Sequence, residues 1–131
     1  MTRIYLIRHA EAEGNIYRRA HGHCNGLTIG RASAQIEQLK NRFENEKIDA
    51  VYSSDLDRTC ATAASIYIPH GLPLCKTDRL REVRMGAWED MAWGDIEYLF
   101  PEMNRYFSVD PLNWHVDGAE EFVQIQKRMT D

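Results

Sequence analysis

Residues 4–15, IYLIRHAEAEGN, run four apolar residues directly into Arg8-His9, followed by two carboxylates and Asn15. Ile4–Ile7 is rich in β-formers and too short to show a period, and it reads as a buried strand. A strand ending in a cation beside an imidazole delivers both to one edge of a sheet. Working outward, residues 10–30 hold Gly14, Gly22, Gly26 and Gly30 among polar neighbours and read as a long loop. Loops of that length in compact domains are more often functional than structureless. From about Ala32 to Glu46, Ile36, Leu39 and Phe43 recur at helical spacing. Ile48–Ser53 (IDAVYS) is a second buried strand. Asp55 or Asp57 is placed to cap a helix running to about Ile68, which Gly71 and Pro73 end. Leu74–Lys76 is a third, short strand, and residues 79–90 return to loop. Helices follow over roughly 94–100 and 119–130. The order β-α-β-α-β, then helices, predicts an α/β layer fold on a parallel sheet.

The bulk composition fits one domain over residues 1–131, with 44% apolar and 27% charged residues. A net charge of −4 without a basic block argues against a nucleic-acid backbone binder. No apolar run approaches the roughly 20 residues of a membrane span, and the N-terminal run is too short for a signal peptide. Cys24, Cys60 and Cys75 are odd in number and unpaired in spacing, so we expect three free thiols in a cytoplasmic protein.

In open parallel sheets, ligands sit outside the carboxyl ends of the strands. Arg8-His9 follows the first strand, Ser53-Ser54-Asp55 and then Arg58 follow the second, and Arg79, Arg81, Glu82 and Arg84 follow the third. Arg8, His9, Arg58 and Glu82 therefore converge on one edge. Two guanidinium forks suit a phosphate. A neutral imidazole between them can attack phosphorus, and a carboxylic acid can protonate the leaving oxygen. Arginines supply the charge such a transfer needs without a metal. Each residue also has a plainer reading: a strand-end ion pair, a solvated helix arginine, a glutamate neutralising a basic cluster.

With these residues placed, the chain resembles the histidine phosphatase superfamily, also called phosphoglycerate mutase-like. IRHAEAEGN is similar to the family's strand ending in Arg-His-Gly, then Glu-Thr and an Asn. LTIGRASAQ (27–35) resembles its Leu-Thr-x-x-Gly-x-x-Gln-Ala stretch with shifted spacing. SSDLDRTCATA (53–63) matches Ser-Ser-Asp-Leu-x-Arg-x-x-x-Thr-Ala at every position. LREVRMGAWED (80–90) resembles Leu-Arg-Glu-x-x-x-Gly-x-Trp-Glu-Gly. FPEMNRYFSVDPLNWHVDGAEEF is similar to the Pro…Gly-x-Glu segment of the phosphatase branch. The resemblance implies a three-layer α/β/α phosphoglycerate mutase-like fold, incomplete at its C-terminus. It implies a metal-independent phosphomonoesterase with no cofactor, acting on a small phosphorylated metabolite. His9 would become a phosphohistidine, Arg8 and Arg58 would hold the phosphoryl oxygens, and Glu82 would donate the proton. Asn15 would be a further phosphate contact. The alternatives are a non-catalytic phosphate-binding module, an inactive fragment, and a mutase.

Ala10 stands for the family's Gly, Ala12 for its Thr and Asp90 for a second Gly. If the Ala10 position needs a positive φ, alanine is strained there. Asp90 adds a negative charge near the site mouth. The family's second histidine lies in a later strand-end His-Gly that this sequence does not reach. His70-Gly71 reads as a helix end, and His115 stays a candidate if residues 104–118 fold over the site. The strand bearing that second histidine separates the first two strands in the family sheet. Without it two edges are unpaired, and three responses stay open: a truncated sequence, direct pairing of the first two strands, or strands supplied by another chain, as in a homodimer completing the sheet. His21, His23 and Cys24 lack the paired spacing of a zinc motif, so no metal is expected. Trp88, Trp93 and Trp114 read as core or rim packing, and Cys60 as a buried, inert thiol.

Overall fold

The computed structural model describes residues 1–130. Its elements are α1 (Glu13–Ile16), α2 (Ala32–Phe43), β1 (Val51–Ser53), α3 (Asp57–Tyr67), β2 (Leu74–Lys76), α4 (Trp93–Leu99), α5 (Pro101–Val109) and α6 (Phe122–Thr130). Short 3-10 turns cover Asp78–Leu80, Gly86–Trp88 and Pro111–Asn113. β1 and β2 pair in parallel, Val51 with Leu74 and Ser53 with Lys76. The crossover between them is α3, which packs on β1 and against α2. This is the β-α-β unit expected from IDAVYS, SSDL and LCK.

The expected first strand is not formed. Residues 4–7 join no ladder, and Ile4 and Leu6 are 78% and 94% exposed. Among the described residues no strand lies beside them to pair with, so the run stays unpaired. Tyr5 anchors the segment, packing edge-on to Phe43 at 5.1 Å and donating to Glu46 at 2.9 Å. The second strand is also shorter than Ile48–Ser53, and only Ser53 in it is buried.

The capping expectation for α3 is corrected as well. Its N-cap is Leu56, and neither Asp55 nor Asp57 caps it. Asn25 reaches across from the long loop, accepting from the Asp57 backbone N–H at 2.8 Å and donating to the Asp57 carboxylate at 2.9 Å. Asp55 instead takes both forks of Arg81. Gly71 ends the helix region with φ 65°, a conformation that favours glycine. The helix expected near 94–100 forms as α4, and a further helix that was not expected, α5, follows it back to back, with Pro101 in its first turn.

The apolar core lies away from the sheet. Ala20, Val83, Met85, Trp88, Ile96 and Trp114 are buried together, ringed by side chains of α4, α5 and α6. Trp88 and Trp114 meet edge-on at 5.7 Å, and Phe107 bridges them. The bridges Arg19–Ala92 and Met85–Ala119 sew the glycine loop and the C-terminal segment to this core. No helix among the described residues is long and apolar enough to cross a membrane.

Candidate active site

Segment 8–10 leaves the unpaired N-terminal run and is captured by α3. The Ala10 N–H donates to Thr62 Oγ1 at 2.8 Å, and that hydroxyl donates to the Arg58 carbonyl at 2.7 Å. Ala10 is buried and its φ is not positive, so alanine fits there without strain. His9 then stands half-buried at the wall of a cavity of about 250 Å³. Arg8, Asn15, Arg58 and Glu82 line the same cavity, with Trp93 and Phe107 as its apolar side. All five residues singled out in the sequence are thus brought together. A second hollow of about 400 Å³ lies across segment 8–10, floored by Ile36 and Leu39 of α2.

The His9 ring sits with Nδ1 2.7 Å from the Ala10 carbonyl. A carbonyl can only accept, so Nδ1 carries the proton and Nε2 keeps its lone pair. Burial pushes the His9 pKa below its usual 6.5; the Ala10 carbonyl opposes this, and the Arg58 and Arg8 charges reinforce it. The ring is therefore neutral over a wider pH range than free imidazole.

Arg58 is 2% exposed and held by three carbonyls: Cys24 at 2.8 Å, His21 at 3.2 Å and Gly22 at 2.8 Å. Burial lowers its pKa, yet a guanidinium remains charged at any ordinary pH. Three of its five N–H groups are engaged, leaving two for a ligand. Arg8 is exposed and makes no side-chain hydrogen bond among the described residues. Asn15 closes α1 on itself, its Oδ1 accepting from the Ala12 N–H at 2.9 Å. Glu82 is exposed, and one carboxylate oxygen accepts from the Val83 N–H at 3.0 Å.

Supporting side chains were present in the motifs without a role attached. Glu89 accepts from the backbone N–H groups of His23, Cys24 and Met85 at 2.8–3.0 Å, tying the glycine loop to the 83–89 turn. Arg128 of α6 donates to the carbonyls of Arg79, Arg81 and Glu82 and to both oxygens of Glu120. It thereby fixes the backbone that presents Glu82. Neither remaining histidine candidate reaches the cavity. His70 ring nitrogens face the Ile66 and Glu46 carbonyls at 2.7 and 3.1 Å. His115 is exposed and 3.7 Å from Glu121. Trp88 and Trp114 are core, while Trp93 faces the cavity. Cys60 is half-buried rather than buried, with Sγ 3.4 Å from the Ser54 carbonyl.

A sequence model described as "Histidine phosphatase superfamily (branch 1)" matches residues 4–131. Phosphoserine phosphatase 1 of Hydrogenobacter thermophilus is 30% identical over 98% of this chain and 61% of its own length. A probable phosphoglycerate mutase, GpmB, of Proteus mirabilis is 36% identical over 98% of this chain and 60% of its own. Among solved structures, YhfR of Bacillus stearothermophilus superimposes with a TM-score of 0.85 at 26% identity, over 92% of this chain and 60% of that one. The chain thus spans about 60% of the length of these relatives.

Proposed function

The chain belongs to branch 1 of the histidine phosphatase superfamily, and from that premise we propose that it carries the nucleophile half of a metal-independent phosphomonoesterase. In this reading His9 Nε2 attacks phosphorus and the ester P–O bond breaks. The leaving oxygen takes the proton of Glu82, and water then releases phosphate from the phosphohistidine. Arg8 and the two remaining N–H groups of Arg58 hold the equatorial oxygens, where charge builds up. Asn15 adds a neutral donor at the rim. The observation that carries the reading is the shared cavity of Arg8, His9, Arg58 and Glu82, with the His9 tautomer set for attack through Nε2. A small phosphorylated metabolite suits a space of about 250 Å³. The phosphatase reading takes support from the 30% identity to phosphoserine phosphatase 1, and the 36% identity to a probable phosphoglycerate mutase keeps the mutase as its alternative.

The test is hydrolysis of an aryl phosphate by this chain with a chelator present. We expect turnover that survives chelation and falls by at least about a thousandfold in His9→Ala. Folded protein that turns over nothing would overturn the catalytic reading for this chain.

A second reading, phosphate binding without turnover, is favoured by the exposure of Arg8 and of residues 4–7 beside it. That flank of the site lacks a neighbouring strand, which further strands or a second copy of the chain would supply. Vanadate binding by a chain that hydrolyses nothing would select this reading.

A further inference from the structure

The glycine loop and the 88–90 turn meet at a group that phosphoryl chemistry does not use. A nitrogen of His21, the thiol of Cys24 and a carboxylate oxygen of Asp90 lie within 4.8 Å of one another. His21 Nε2 is 3.0 Å from Asp90 Oδ1. The sequence motif AHGHC lacked a partner for its histidine and cysteine, and the fold supplies one in Asp90. We propose that His21, Cys24 and Asp90 form a binding site for a borderline-soft divalent cation such as Zn²⁺ at the rim of the His9 cavity.

Four observations carry this. The three donors are an imidazole, a thiol and a carboxylate, a set that suits zinc and leaves a fourth position for water. Tetrahedral donors stand roughly 3.3–3.8 Å apart, and the observed donors lie within 4.8 Å of one another. The ring is held in advance: a Cβ on Gly14 or Gly26 would come within 2.6–2.8 Å of His21, so both glycines are needed to seat it. The Cys24 backbone is pinned at both ends, by Glu89 at 3.0 Å and Arg58 at 2.8 Å. Second, His21 is only half satisfied by the protein: Nε2 faces Asp90, whereas Nδ1 is buried with no hydrogen-bond partner among the described residues, in a side chain 10% exposed. Third, the surroundings favour a cation. The carboxylate of Glu89 accepts from the Cys24 N–H at 3.0 Å, and that of Glu13 accepts from the Leu27 N–H at 3.0 Å, so two further negative groups stand beside the three donors. Fourth, Asp90 holds its place at a cost: its φ of 62° is left-handed, where most side chains are unwelcome. Arg19 contacts it from the solvent side, with 3.6 Å between the charged groups.

Binding replaces the Cys24 S–H bond with a metal–sulfur bond, and the proton leaves to solvent. The cation is not needed for attack on phosphorus, and the site does not depend on the proposed hydrolase being active. His21 and Gly22 line the His9 cavity, so an occupied site would add positive charge at its mouth.

The experiment is titration of chelator-treated protein with Co²⁺, read by visible and near-ultraviolet absorption, followed by Zn²⁺ competition. We expect one equivalent of Co²⁺ to give tetrahedral d–d bands and a thiolate charge-transfer band, both erased by Zn²⁺. Cys24→Ser should remove the charge-transfer band, and Cys75→Ser should leave it. Asp90→Gly, which suits a left-handed φ and so preserves the fold, should weaken binding at least tenfold. No tetrahedral spectrum in excess Co²⁺ would overturn the proposal. So would a charge-transfer band that survives Cys24→Ser, or affinity unchanged in Asp90→Gly.

Discussion

At the scale of single residues, His9 is tuned by its neighbours rather than by its own chemistry. Burial and two guanidinium groups lower its pKa below 6.5. The neutral, nucleophilic ring is therefore lost only when pH falls through that lowered value. The acid limb of a kcat/KM profile should accordingly lie below the pH at which free imidazole protonates. Replacing Arg8 by Met removes one of the two cations and should move that limb towards neutrality. Gly22 is equally constrained, by space. A Cβ there would overlap the Val83 carbonyl oxygen and crowd Glu89 Oε1 at 2.6 Å. Gly22→Ala should cost about 2–3 kcal/mol in urea unfolding, with the loss centred on the turn that follows Glu82.

Among the elements, α6 acts on the site without touching it. Its Arg128 clamps the 79–82 backbone and pairs with Glu120 at 2.6 Å. Burial raises the Glu120 carboxyl, but the Arg128 hydrogen bonds and the Arg84 N–H outweigh it, leaving the pKa lowered. A depressed carboxyl pKa stabilises the fold above the unfolded value, and this contribution is lost as pH falls through the folded value. A double-mutant cycle of Glu120→Gln and Arg128→Met should give a coupling of about 1–3 kcal/mol. It should shrink on acidification, and kcat should fall in both single variants through the loosened Glu82 segment. Elements whose determinants are local were legible in the sequence. IDAVYS, DRTCATAASIY and LCK gave β1, α3 and β2 because short apolar runs, helix-favouring alanines and the Gly71 stop act within a few residues. The shared cavity of Arg8, His9, Arg58 and Glu82 was legible from the motifs that carry them even though the strand expected before Arg8 does not form, and Asn15 was implied by the resemblance alone. What long-range partners decide was not legible: the Asn25 cap on α3, the Arg128 clamp, and the fate of residues 4–7. Pro101 was a readable signal for a helix start, yet no helix was expected over Pro101–Val109.

For the molecule as a whole, burial is lopsided. The aromatic core fills the side built from α4, α5 and α6, whereas the β1–β2 side exposes Ile4, Leu6 and Tyr52. Exposed apolar residues beside an unpaired extended run invite association. This chain should therefore self-associate in light scattering at micromolar concentration, and Leu6→Lys should shift it towards monomer without loss of secondary structure. A stable wild-type monomer at all concentrations would show that the run needs no cover.

Arg58 bears on this asymmetry from the buried side. Its side chain already rests against three loop carbonyls before any ligand arrives. A free arginine forfeits about 0.5–1.5 kcal/mol of rotamer freedom when a ligand immobilises it. Here folding has already taken that loss, so phosphate meets a guanidinium with little entropy left to give up. Of the two arginines at the site, Arg8 would bear the ordering penalty on binding, and Arg58 would contribute its charge almost free of one.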